Sequence, residues 1–301
     1  MMKKEFLKDR LNIIGLGLII FVVIRYFVPG IGRLMGLEKN LMAWVILCAI
    51  TLVFSCMVPT AVIEKMCDVH PKINLRKPDL KDRVIRGRGL LVIEGAVLIN
   101  RIVLKLLSGV GVAFPPQRAL RTYGVVELFI YFIYMTVLPA FFEEILVRGI
   151  ILNILREHGE RFAIIVSAFI FMMMHNSIQS FIPIFVSGVI LGCIYRYTGS
   201  ITTSMLLHFI NNTYSFLILY MNTNAGVSAI GFAAFMLILL VVLGSLCIWL
   251  LYKSENDIMS PLKNRERQER DNIFSAPIFT MAFLCMALTV ASQLYRDIIV
   301  R

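Results

Sequence analysis

The chain has 301 residues, of which 58% are hydrophobic and only 16% charged, with a net charge of +11, and its mean hydropathy is +0.81. A soluble globular chain is about half apolar and about a quarter charged, so this composition excludes an ordinary soluble domain and predicts a multi-pass integral membrane protein. Nucleic-acid binding is set aside as well, because the dense basic stretch from Arg76 to Arg88 lacks interleaved aromatics.

Apolar runs near residues 11–28, 41–63, 89–110, 122–140, 161–177, 178–195, 200–221, 227–252 and 274–295 approach the length that crosses a hydrocarbon core of ~30 Å. They predict an all-α fold, a polytopic transmembrane helical bundle of eight or nine spans. The count turns on whether 122–157 is one kinked helix or two shorter elements. Pro139 lies inside that stretch and removes a backbone donor, which predicts a kink just before an acidic pair. The first run follows a basic start with no small-x-small cleavage site behind it, so it reads as a retained span. Gly188 and Gly192 form a G-x-x-x-G pair suited to close helix approach. Met172, Met173 and Met174 read as adaptable packing, and Tyr195 and Tyr197 beside Arg196 read as an interfacial belt.

With the N-terminus in the cytoplasm, twenty Lys and Arg fall on the inner side against four on the outer, which orients the chain in the cell membrane. Attraction to anionic headgroups follows from that sorting. The six cysteines are scattered without a C-x-x-C pair, which argues against disulfides and a cysteine metal site. No repeat of helical-hairpin length is evident, which lowers the case for a transporter of paired halves. The connections 64–88 and 253–273 are too short for domains, so residues 1–301 read as a single transmembrane domain.

Three polar signatures interrupt the apolar runs: Glu143-Glu144-x-x-x-Arg148, Phe171-x-x-x-His175 and His208-x-x-x-Asn212. Counted from Arg156, Arg161 and Arg196 at ~1.5 Å per helical residue, Glu143, His175 and His208 lie about 20, 21 and 18 Å deep. Three helices thus bring polar groups to one level. A spacing of four sets Glu144 over Arg148, Phe171 over His175 and His208 over Asn212. Glu143 is turned about 100° from Glu144, so Arg148 can hold Glu144 while Glu143 faces another neighbour. Each charge left unpaired at mid-membrane costs about 2.5 to 3.5 kcal/mol on insertion scales, so an internal pairing is expected.

A carboxylate, two imidazoles and an amide in a dry site can hydrolyse an amide bond: a glutamate takes a proton from water and a second group donates to the oxyanion. Glu143, His175 and His208 also make a two-His, one-carboxylate set for a divalent metal such as zinc. No H-E-x-x-H is present, so a metal site would be assembled from separate helices. The residues leave both readings open, along with a third: a non-catalytic scaffold or proton-coupled transporter with the three groups as a relay.

In their order on successive spans, the three signatures resemble the CPBP family of intramembrane proteases, which includes type II CAAX prenyl endopeptidases and bacteriocin self-immunity proteins. The resemblance covers residues 122–221, the protease-like core. It implies that Glu143 activates water with His175 assisting, that Glu144 and Arg148 support the site, and that His208 and Asn212 stabilise the oxyanion. The catalytic set is then Glu143, Glu144, His175, His208 and Asn212, with Arg148 and Phe171 in support. A peptide or protein substrate, prenylated or not, is the implied partner besides the bilayer, and self-immunity or peptide maturation is the alternative role.

Simpler readings stand beside these. The acidic pair could lie at the membrane surface, His175 could merely end a helix, and His208 could be a hydrogen-bonded structural residue. Glu94, Arg101 and Lys105 share one face of the third run, but Lys and Arg can snorkel and a structural role is preferred. Glu127, His70 and His158 are given no role.

Overall fold

The computed structural model describes residues 2–70, 80–110, 124–224, 259–263 and 276–298, and every regular element among them is helical. The N-terminal helix runs as α1 (Met2–Val22), a π-helical turn (Val23–Phe27) and α2 (Val28–Leu34). It is followed by α3 (Leu41–Cys67) and α4 (Leu80–Gly109). Within the run 122–157, the described residues from Val125 to Leu155 form one continuous helix: α5 (Val125–Phe132), a π turn (Ile133–Val137), α6 (Leu138–Glu144), a second π segment (Ile145–Ile151) and α7 (Leu152–Leu155). Then come α8 (Glu160–Met174), α9 (Phe181–Thr198) and α10 (Ile201–Asn224). A short helix (Ser260–Lys263) and a C-terminal helix (Pro277–Ile298) complete the described chain.

Four helices among the described residues are long and apolar enough to cross a membrane: Lys8–Leu34, Leu41–Cys67, Val125–His158 and Ile178–Thr198. The expected eight or nine is therefore met only in part. The run at 161–177 becomes α8, whose 15 residues reach only about 22 Å. The run at 274–295 yields a shorter apolar helix, Pro277–Ser292, and the run at 227–252 lies outside the described residues.

α1 packs between α3 and the C-terminal helix, α3 packs on α6, and α10 bridges α6 and α9; α8 and α4 flank α9. The core they enclose runs from Leu11, Ile14 and Leu18 of α1 through Leu146 and Ile150 to Phe171, Cys193 and Phe279. At Gly15 a Cβ would come within 2.5 Å of the Phe279 backbone, so the α1 contact with the C-terminal helix depends on the missing side chain. Asn12 Oδ1 of α1 accepts from the Ile278 N–H at 3.1 Å, satisfying a donor that the first turn of the C-terminal helix leaves open. Because backbone cannot yield as a side-chain tip does, Gly15→Val is expected to cost about 1–3 kcal/mol by overpacking. Thermal unfolding in detergent checks this, and an unchanged midpoint would mean that the two helices do not touch as described.

Candidate active site

All the acidic chemistry of the site is carried by the helix Val125–His158. Pro139 has no N–H, and its ring crowds the carbonyl four residues back. The chain answers with the π turn Ile133–Val137 immediately before it, while Thr136 Oγ1 donates to the Phe132 carbonyl at 2.7 Å. The irregularity expected at Pro139 thus takes the form of a widened turn. A second π segment begins directly after Glu144. At its return to α-helical register Asn153 Nδ2 donates to the carbonyls of Arg148 and Gly149, each at 3.0 Å, and to the Tyr195 hydroxyl at 2.8 Å.

Glu144 and Arg148 are fully buried, joined by a 2.6 Å bond from Arg148 Nη1 to Glu144 Oε1. The acidic pair is therefore buried inside the bundle. Arg148 Nη2 donates to the Gly188 carbonyl of α9 at 3.1 Å, and the guanidinium carbon stands 4.5 Å from the centroid of the Phe171 ring of α8. Gly188 is a close-approach residue, since a Cβ there would meet Ala168 Cα at 2.9 Å. The small residue that lets α9 approach α8 also exposes the carbonyl that Arg148 uses.

His208 of α10 is 3% exposed, and its Nδ1 lies 3.0 Å from the same Glu144 oxygen that Arg148 binds. A carboxylate accepts, so Nδ1 carries the proton and Nε2 faces away from Glu144. Phe171 packs edge-to-face against both imidazoles, with centroids 4.6 Å from His175 and 5.6 Å from His208. The aromatic residue of the second signature is thus the common wall of the site.

His175 does end a helix, and that is how it is held. The last four carbonyls of an α-helix have no partner within the helix. Here His175 Nδ1 donates to Phe171 O at 2.8 Å, and the N–H groups of His175 and Asn176 serve Met172 and Met173. Tyr26 Oη, from the π turn of the N-terminal helix, donates to Met174 O at 3.2 Å. Asn176, at φ 47°, turns the chain out of the helix. With Nδ1 bound to a carbonyl, the neutral ring presents a lone pair at Nε2, which stands 3.8 Å from Glu143 Oε2. That Glu143 oxygen is buried and has no hydrogen-bond partner.

Asn212 is half-buried one turn beyond His208 on α10. The metal candidates Glu143, His175 and His208 do not fit an ion as arranged: among the described residues no three His, Cys, Asp or Glu gather into a metal-binding group. Glu94 of α4 is buried, with Oε1 unpartnered, and interacts electrostatically with Tyr214 on α10; Arg101 and Lys105 are exposed. Three further residues reach the site without being anticipated. Arg25, in the π turn Val23–Phe27, interacts with Glu143 and hydrogen-bonds Tyr134, and its neighbour Tyr26 holds the end of α8. Arg25 could have been noticed as a charge inside the run 11–28, as costly there as Glu143 is in its own.

Residues 125–214 match the family model of the type II CAAX prenyl endopeptidase, Rce1-like. All three polar signatures lie within the matched segment, and Arg25 lies outside it. No curated protein and no solved structure matches the chain. The Rce1-like core therefore ends on α10 just past Asn212, while the N-terminal helices that close the site from the other side stand outside the match.

Removing one partner of a buried ion pair strands the other charge, at about 3–5 kcal/mol. Arg148→Met in this Rce1-like core is expected to lower the melting temperature sharply. The double change Glu144→Leu with Arg148→Met is expected to cost less than the sum of the singles. Additive losses in a double-mutant cycle would show that the two side chains are not coupled.

Proposed function

We propose that this Rce1-like membrane protein is an intramembrane endopeptidase in which Glu143 activates the hydrolytic water. The observation that carries the reading is the 3.8 Å gap between Glu143 Oε2 and His175 Nε2. It is too long for a direct hydrogen bond and fits one water held between two acceptors. As that water attacks a peptide carbonyl, Glu143 takes its proton and then delivers it to the departing amine. His175 keeps the water aligned, its own tautomer fixed by the Phe171 carbonyl.

His208 and Asn212 receive the oxyanion in this proposal. With Nδ1 already donating to Glu144, His208 can give a second hydrogen bond from Nε2 only as an imidazolium, and the Glu144 carboxylate is the group that stabilises that cation. Glu144, shared between Arg148 and His208, is then a support residue. The chemistry runs on Glu143 and His175 themselves, and the substrate is a peptide or protein segment, prenylated or not, reaching the site from the bilayer. The N-terminus is taken to face the cytoplasm and residues 1–301 to form one domain around the core.

Mass spectrometry of peptides incubated with the purified protein in detergent tests the reading. Glu143→Gln and His175→Ala are each expected to lower cleavage by about 10²–10⁴-fold with the fold intact, and cleavage surviving both would overturn the mechanism. Wild-type cleavage is expected to persist after chelation; loss with chelator, restored by added zinc, would point to a metal site.

A further inference from the structure

A cavity of about 240 Å³ lies between the start of the N-terminal helix, the end of α3 and the end of the helix Val125–His158. None of the residues that form the Glu143 and His175 site lines it. Three membrane-crossing helices, Lys8–Leu34, Leu41–Cys67 and Val125–His158, each have an end here. Arg10 fastens those ends together: Nη1 donates to Glu157 Oε1 at 2.5 Å and Nη2 to the Cys67 carbonyl at 3.2 Å. Charged side chains at the ends of spans meet the headgroup layer of a bilayer, so the cavity stands at headgroup depth. A pocket for a drug-sized molecule measures roughly 300–1,000 Å³, and this smaller space suits a headgroup without its acyl chains.

Its walls carry both signs of hydrogen-bonding demand. Asn153 spends Nδ2 on the Arg148 and Gly149 carbonyls and the Tyr195 hydroxyl, and its Oδ1 is buried and receives no hydrogen bond. Glu157 takes Arg10 on Oε1, and its Oε2 is likewise buried with no donor. Two unmet acceptors lining one cavity call for a ligand rich in N–H, because a buried acceptor left unpaired is costly. A primary ammonium supplies three donors and the charge that a carboxylate favours. A trimethylammonium head has no N–H to give, and among the described residues no Phe, Tyr or Trp lines the cavity to hold one by its ring face. Arg156, on the same wall, uses Nε on Glu160 at 3.2 Å, and its terminal amino groups form the planar fork that matches a phosphate. We propose that this cavity binds the phosphoethanolamine group of a membrane lipid, with the ammonium on Asn153 Oδ1 and Glu157 Oε2 and the phosphate on Arg156. The site is independent of the peptidase reading.

Native mass spectrometry of the delipidated full-length protein in detergent, titrated with lipids of one acyl composition, tests the site. Phosphatidylethanolamine is expected to bind about tenfold more tightly than phosphatidylcholine, with affinity falling through the mono- and dimethylated headgroups as N–H groups are lost. Phosphatidylglycerol is expected to bind as weakly as phosphatidylcholine. Glu157→Gln is expected to remove the preference for ethanolamine over choline. Arg156→Gln is expected to weaken both lipids alike, while Glu160 keeps Arg196 as its partner. With the wild-type protein alone, equal affinity for the ethanolamine and choline lipids, or a glycerol lipid bound as tightly as the ethanolamine lipid, would overturn the site. A preference that survives Glu157→Gln would overturn the placement of the ammonium. Soluble O-phosphoethanolamine is expected to compete only weakly, and binding as tight as that of the lipid would replace the headgroup with a free ligand.

Discussion

A carboxylate and a guanidinium with no water around them must satisfy each other and every remaining donor from the protein. Glu144 and Arg148 are in that position, both fully buried, and the rest of the site meets most of their demand, leaving Arg148 Nε without a partner. Arg148 reaches across to the Gly188 carbonyl and lies over Phe171, while Glu144 also accepts from His208. Four helical segments are registered by two side chains. Such a pair adds little net stability compared with apolar packing, but losing either partner is severe, so its value here lies in fixing relative positions.

Position is what Glu143 and His175 need. One residue from Glu144 along the helix, Glu143 inherits the register that the ion pair sets, yet it is turned away from Arg148 and keeps an unpartnered oxygen. His175 is fixed by a different economy, the need of a helix terminus to close its carbonyls. The two π-helical segments in the helix Val125–His158 and the one in the N-terminal helix all fall beside the polar side chains of the site. A regular helix repeats its facing every 3.6 residues, and a wider turn changes which neighbours a residue can reach.

Much of this was legible in the sequence because cost is legible. Charged and imidazole groups inside apolar runs are expensive, and the spacing of four in Glu144 and Arg148 predicts their contact before any packing is known. The span count was less legible. Hydropathy marks apolar runs but not how a short helix such as α8 sits in the bundle, nor how long an element remains once a residue like Asn176 turns the chain. Arg25 escaped attention for a related reason: a lone charge with no patterned partner carries no spacing signal, and only the fold puts it beside Tyr134.

The sequence by itself determined that the chain is a helical membrane protein, which polar residues interrupt its apolar runs, and which of them pair within one helix, because hydropathy and helical period are local properties. Only the tertiary structure decided that His208 shares Glu144 with Arg148, that Phe171 walls both imidazoles, and that His175 faces Glu143 with Nε2. Each of these joins residues from different helices, and their meeting depends on close approaches such as Gly188 against Ala168, which no periodicity in the chain encodes.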